Sequence, residues 1–250
     1  MRGSFRNMNK NNRDLEKLIF GPESEEASEY ASSIVLTDAN ILLMPVRSLY
    51  GIFAYVTTNF LLNKAKLHFS LLNKDKIIDE IIKLSKGKNL ASDDLVVNPK
   101  DKCTVNLLEN EIKVEINKEI QKMFEKILPK NKLPIDIDNE ILKRIVILSD
   151  EYSDIIKRAT ILTTRIKVKY ETKTVETGAL WTEEYLPELT IMHNLILATK
   201  PRKTNGEIND AEGVIKKLTG GLGGSEDEFN IILGGDETIG KGIVKFCKVS

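Results

Sequence analysis

Cysteine is nearly absent from this chain. Cys103 and Cys247 are its two thiols, and His68 and His193 its two imidazoles. Residues so few and so scattered build neither a structural zinc site nor a disulfide framework. Idle or buried thiols fit a reducing compartment, and the expected location is cytoplasmic. Long hydrophobic runs are missing as well. The longest, such as Ile41 to Val46, fall far short of the ~18 residues that a spanning helix needs, so no membrane partner is expected. Met1-Arg2-Gly3-Ser4 leads straight into polar Asn and Lys sequence, unlike a secretory signal. Nor does charge of one sign prevail. The 37 basic residues match 37 acidic ones for a net charge of zero, which argues against a broad, non-specific polyanion binder. A local basic groove stays open.

At 250 residues, 41% hydrophobic and 30% charged, the chain suits one sizeable domain, or one domain carrying an insertion. Met1 to Phe20 reads as a helix. At 100° per residue, Arg2, Arg6, Lys10, Arg13 and Lys17 share an arc of about 80°, opposite Phe5, Met8, Leu15, Leu18 and Ile19. Asn9, Asn11 and Asn12 weaken its middle. A strand-rich block follows from Ser33 to Thr58, broken by Arg47-Ser-Leu-Tyr-Gly51. Helices are expected over 59–72, 74–84 and 117–128, with short strands over 95–116 and a mobile linker over 86–94. Between Lys64 and Lys88 seven lysines outnumber three acidic residues. Residues 59–150 read as an insertion. Arg165 to Tyr170 alternates strictly, with Arg165, Lys167 and Lys169 on one face, and Val175 to Leu186 follows as its hairpin partner or as an extended arm. A buried strand is expected over 189–198. A helix is expected over 209–218, opened by an Asn209/Glu212 capping box, then a flexible loop over 219–225 and closing strands over 229–233 and 242–249. Strands and helices alternate without long βαβ repeats, so the fold class is α+β.

Three features bear on chemistry. Gly235 to Lys241 nearly matches a nucleotide-binding P-loop, but Gly242 replaces the magnesium-binding hydroxyl and a strand pattern follows where a helix is required. No nucleotide cofactor is expected. What remains is a glycine turn whose N–H groups, with Lys241, can hold a backbone phosphate. Trp181-Thr-Glu-Glu-Tyr185 sets Glu183 and Tyr185 on one strand face, where a carboxylate and a phenol can assist proton transfer or position a metal-bound water. His68 and His193 sit among apolar residues and read as packed histidines. Taken alone, the basic stripe, the glycine turn and the acidic pair are each accounted for as ordinary surface.

In order, however, these segments resemble one family. They run from Met1-Arg-Gly-Ser through Phe20-Gly-Pro to Asp38-Ala-Asn-Ile-Leu-Leu-Met-Pro-Val-Arg-Ser-Leu-Tyr-Gly-Ile-Phe-Ala-Tyr-Val-Thr57. Val175-Glu-Thr-Gly-Ala-Leu-Trp-Thr-Glu-Glu-Tyr-Leu-Pro187 and Gly234-Gly-Asp-Glu-Thr-Ile-Gly-Lys-Gly-Ile-Val244 complete the set. The chain is similar to the backbone subunit of the type III-B CRISPR effector, the Cmr complex, within the RAMP superfamily.

The resemblance implies an RNA-recognition-motif-like, ferredoxin-like palm over 1–58 and 151–250, a helical fingers insertion over 59–150 and a thumb hairpin at about 165–187. It implies a protein that binds guide CRISPR RNA, stacks with copies of itself and other Cmr subunits into a helical filament, and takes part in regularly spaced cleavage of target RNA. The alternative is a non-catalytic guide-binding scaffold. By position, the resemblance places Arg2, Gly3, Arg6, Arg47, Ser48, Gly240, Lys241 and Gly242 near RNA, Thr177 and Trp181 in the thumb, and Glu183 and Tyr185 beside the cleavage site. Cleavage would proceed by attack of a ribose 2′-hydroxyl, aided by a divalent ion expected to be magnesium, with no metal ligand in this chain. Family members begin roughly forty residues earlier, room for one strand and a loop bearing the principal catalytic Asp. Cleavage by this chain as it stands is therefore not expected.

Overall fold

The computed structural model describes residues 2–8, 13–23, 29–129, 137–203, 208–220 and 227–249. The basic stripe falls on two helices, α1 (Arg2–Met8) and α2 (Arg13–Phe20). Between them the expected single helix crosses residues 9–12, Lys10 included, which lie outside the described residues. Strands β1 (Ile34–Leu36), β2 (Asn40–Arg47) and β3 (Phe53–Thr58) fill the strand-rich block. Thr58 caps α3 (Asn59–Ser70), its hydroxyl accepting from Leu61 N at 3.3 Å; α4 (Asp75–Ser85) follows. The stretch expected as a mobile linker carries strand β4 (Leu90–Ala91) instead. Leu90, Ala91 and Ser92 are buried, and Ser92 Oγ accepts from Ile145 N at 3.0 Å. This short apolar segment is held by burial in spite of its polar flanks.

Next come β5 (Thr104–Leu107), β6 (Asn110–Lys113), β7 (Glu115–Ile116), α5 (Glu119–Ile127), α6 (Ile137–Leu142), β8 (Ile145–Leu148) and α7 (Ser153–Arg158). The hairpin strands are β9 (Ile161–Val168) and β10 (Val175–Tyr185). The single buried strand expected over 189–198 is two short ones, β11 (Ile191–His193) and β12 (Ile196–Ala198). They join different sheets, and Met192 and Leu197 point to solvent; an apolar run does not by itself reveal which partner each half will find. Helix α8 (Ala211–Gly220) is opened by Asp210 rather than Asn209, with Asp210 Oδ1 accepting from Gly213 N at 2.7 Å. The flexible loop expected over 219–225 lies outside the described residues from 221 onward. Strands β13 (Glu228–Ile232) and β14 (Ile243–Cys247) follow.

The chain divides into two compact units, Met1–Ala39 with Ile127–Asp138 and Asn194–Ser250, and Asn40–Lys126 with Asn139–His193. The second holds a six-stranded mixed sheet in the order β11-β2-β3-β8-β4-β7. Its β8 is buried at all four positions, as a central strand covered on both faces should be. Val46, Ala54, Val56, Ala91, Val146 and Leu148 share one core with Val105, Leu107 and Ile112 of the β5–β6 hairpin. In the first unit, Leu15, Leu18, Ile19 and Phe20 of α2 pack with Ile34, Val214, Leu218 and Ile231. Phe5 lies at its centre, edge-on to Phe229 at 5.6 Å and Phe246 at 5.5 Å, rings that stack on each other. Burying such a ring is worth roughly 2–3 kcal/mol. Among the described residues no helix is long and apolar enough to cross a membrane.

Candidate functional site

The β9–β10 hairpin owes its working face to an irregularity. Near the turn Val175 pairs with Val168, a register that would set Arg165 opposite Gly178. Between Val175 and Leu180 the register shifts, so that Arg165 pairs with Trp181. Gly178, at φ +79°, lies in that shift, as glycine-bearing bulges do. Because the displacement is an odd number of residues, it exchanges the faces of β10. Trp181, Glu183 and Tyr185 thereby come to lie on the side of Arg165, and Leu180, Thr182 and Glu184 on the other.

The four side chains close on one another. Arg165 Nε donates to Glu183 Oε2 at 2.8 Å, and Trp181 Nε1 to Glu183 Oε1 at 2.7 Å. Tyr185 donates its hydroxyl hydrogen to Glu183 Oε2 and accepts from Arg165 Nη2 at 3.4 Å. The Tyr185 hydroxyl, the Arg165 guanidinium and the Trp181 N–H together hold the Glu183 carboxyl down at about 2, against the opposing effect of partial burial. The same bonds, that to Tyr185 foremost, push Arg165 up. A carboxylate so stabilised is a weak base at neutral pH. On the opposite face Glu184 Oε1 accepts from Thr160 Oγ1 at 2.7 Å, and nearer the turn Glu176 pairs with Lys167 at 2.8 Å. Thr177 is exposed beside Gly178.

The glycine loop joins β13 to β14. Leu233 N donates to Gly242 O at 2.8 Å, and a Cβ on Gly242, whose φ is +73°, would stand 1.9 Å from Leu233 O. Only glycine fits there. Gly240 is exposed at φ +76°, with open space around it. The segment after Lys241 is strand β14, not the helix of a P-loop.

The basic stripe is in large part engaged within the protein. Arg2 Nη2 donates to Phe20 O, at the carbonyl end of α2, with its guanidinium over the Phe20 ring. Arg6 pairs with Glu16, and Arg13 with Glu23. Gly3, Ser4, Arg6, Asn7 and Glu16 line a cavity of about 510 Å³. Arg47 ends β2 with an exposed side chain; Ser48 Oγ next to it is buried without a partner among the described residues. The two histidines, expected as packed residues, meet each other: His68 Nδ1 and His193 Nδ1 are 2.8 Å apart, rings nearly perpendicular.

The RAMP superfamily profile matches residues 1–245. This chain belongs to the RAMP superfamily. It is 35% identical to the CRISPR system Cmr endoribonuclease Cmr4 of Pyrococcus furiosus over 237 residues, 93% of this chain and 75% of that protein. It is 29% identical to the CMR subunit Cmr4 of Saccharolobus solfataricus over 240 residues, 89% of this chain and 73% of that one. Among solved structures it superposes with a TM-score of 0.71 on a chain of the type III-B Cmr-beta complex bound to cognate target RNA. That match is at 26% identity and covers 99% of this chain and 82% of the other.

Within this RAMP chain the structure brings Trp181, Glu183 and Tyr185 into one cluster, and Gly3 and Arg6 into one cavity. Arg47 ends β2 with Ser48 just after it, and Gly240 to Gly242 lie in the loop before β14. Sequence reasoning missed Arg165 as a partner of Glu183, and His68 as a partner of His193. The signal for the first was Gly178, a glycine inside an alternating strand, which marks a bulge.

Proposed function

We infer that this chain is a guide-RNA-binding backbone subunit of a type III-B CRISPR effector that acts on complementary target RNA. The observation that carries this reading is the 35% identity, spanning 93% of the chain, to a Cmr endoribonuclease. In this reading the partners are guide RNA, target RNA, further copies of the chain and other Cmr subunits. The palm takes 1–58 and 151–250, the fingers 59–150, and the thumb the β9–β10 hairpin. Arg2, Gly3, Arg6, Arg47, Ser48, Gly240, Lys241 and Gly242 face the RNA backbone, and Thr177 and Trp181 lie where the thumb parts guide from target.

Cleavage of the implied kind uses a divalent ion. Among the described residues no group of three or more His, Cys, Asp or Glu stands close enough to hold one, and both Glu183 oxygens already accept hydrogen bonds. These residues do not fit such an ion, and the chemistry assigned to them is limited to binding and orientation. The Glu183 carboxylate, held by three donors, also favours a second reading, a guide-binding scaffold whose cleavage chemistry lies elsewhere. In a complex assembled on a guide, regularly spaced target products would support the first reading and intact target the second.

Backbone binding is tested by Lys241→Ala. Because phosphate contacts carry no sequence information, affinity should fall about equally for unrelated guide sequences. The salt dependence should flatten by somewhat under one logarithmic unit for each phosphate released. Weakening confined to one sequence, or an unchanged salt slope, would count against this role for Lys241.

A further inference from the structure

We propose that Glu183 is a positioning residue, and that the group it positions, the Arg165 guanidinium, grips a phosphodiester of bound RNA. This inference rests on the functional reading above. Glu183 Oε2 takes the Arg165 Nε–H, and the Tyr185 hydroxyl, itself tied to that oxygen, takes one N–H of Arg165 Nη2. Trp181 holds the other carboxylate oxygen. The arrangement fixes the plane of the guanidinium from one side. Both hydrogens of Nη1 and one of Nη2 are left without a partner among the described residues, and Arg165 is only half-buried.

A planar guanidinium held along one edge, with its remaining N–H groups directed outward, matches the paired oxygens of a phosphodiester. Lysine would be a poor substitute, because it presents a point charge rather than a fork. Fixing the side chain beforehand also spares the ordering cost that a flexible arginine meets on binding. A carboxylate held by three donors is a poor proton acceptor but a good anchor. Past Arg165 on the same face come Lys167, which pairs with Glu176, and Lys169 just beyond the end of β9, so further cationic side chains line the way toward the turn.

The test turns on a sign. Removing an acidic residue ordinarily strengthens binding to RNA, since the net charge becomes more positive. If Glu183 holds Arg165 in place, Glu183→Gln should instead weaken target-RNA association, measured on the guide-loaded complex. The expected loss is about tenfold, near that of Arg165→Gln. Arg165→Gln should lower the salt slope by about 0.7. The double variant should be little worse than Arg165→Gln alone, because both remove the same interaction. Trp181→Phe, which keeps the ring and deletes one donor, should give a smaller loss and guards against misfolding of Glu183→Gln, as does comparison of thermal unfolding. If the complex cleaves, Glu183→Gln should leave the acidic limb of the pH–rate profile in place. Tighter target binding by Glu183→Gln, or disappearance of that limb, would overturn the proposal while the functional reading stands. A wild-type chain with no salt-dependent affinity for guide RNA would overturn the functional reading, and this inference with it.

Discussion

Acidification should loosen the second unit through His193, and the size of the effect can be worked from its surroundings. Burial, then the charge of His68, then that of Lys64 hold the His193 imidazole down at about 4, from an ordinary 6.5. Its Nε2 is buried without a partner among the described residues, so a proton there has nothing to bind. Between those two values the unfolded chain carries a proton that the folded chain refuses. Stability is therefore fully present above about pH 6.5 and is lost as pH falls toward 4. Each pH unit across the window is worth about 1.4 kcal/mol, so complete transfer would cost about 3 kcal/mol. The ring keeps some contact with solvent, and screening reduces this to about 1–2 kcal/mol. Burial lowers His68 as well, so its contribution has the same sign. The perturbation is His193→Gln, which removes the titrating group. Urea midpoints at constant m-value, measured for both proteins at pH 7.5 and 4.5, give the difference free of other titrations. Wild type should lose about 1–2 kcal/mol more than the variant over that interval. A gap between the two proteins that does not change with pH would refute the reasoning.

Two further expectations concern the backbone. Gly242→Ala would drive a Cβ into Leu233 O at a φ of +73°; it should cost about 3 kcal/mol or more and break the Leu233–Gly242 hydrogen bond, seen as a drop in melting temperature and faster amide exchange at Leu233. Ile52 is a β-branched residue at φ +72°, with its side chain 80% exposed. Ile52→Gly should stabilise by about 1 kcal/mol, because relief of left-handed strain outweighs the small burial given up, and a lower melting temperature would contradict this.

Legibility in the sequence followed the range of the interaction. The alternation of Arg165 to Tyr170 and the apolar spacing of 59–84 depend on neighbours a few residues away, and the hairpin and helices α3 and α4 were read from them. The strand after Lys241 was read in the same way, and with it the rejection of the P-loop. The pairing of Arg165 with Glu183 depends on a register shift within β10 that exchanges its faces. No pattern in 165–170 alone encodes that. His68 and His193 are 125 positions apart and meet because β11 lies beside β2 on the sheet that α3 covers. The basic stripe was visible as a stripe, but its partners Glu16 and Glu23 were not. Charge spacing shows where cations lie on a helix, not which carboxylates the fold returns to them.

The aromatic cluster around Phe5 has a consequence for how the protein is made. Phe5 leaves the ribosome long before Phe229 and Phe246, the rings it packs against. The first unit cannot close this core until Phe246 has been made, whereas every segment of the second is available once His193 has emerged. At typical elongation rates of about 5–20 residues per second, helices α1 and α2 wait roughly ten seconds or more with Phe5, Leu18 and Ile19 uncovered. Over that interval their apolar faces are open to chaperones or to neighbouring nascent chains.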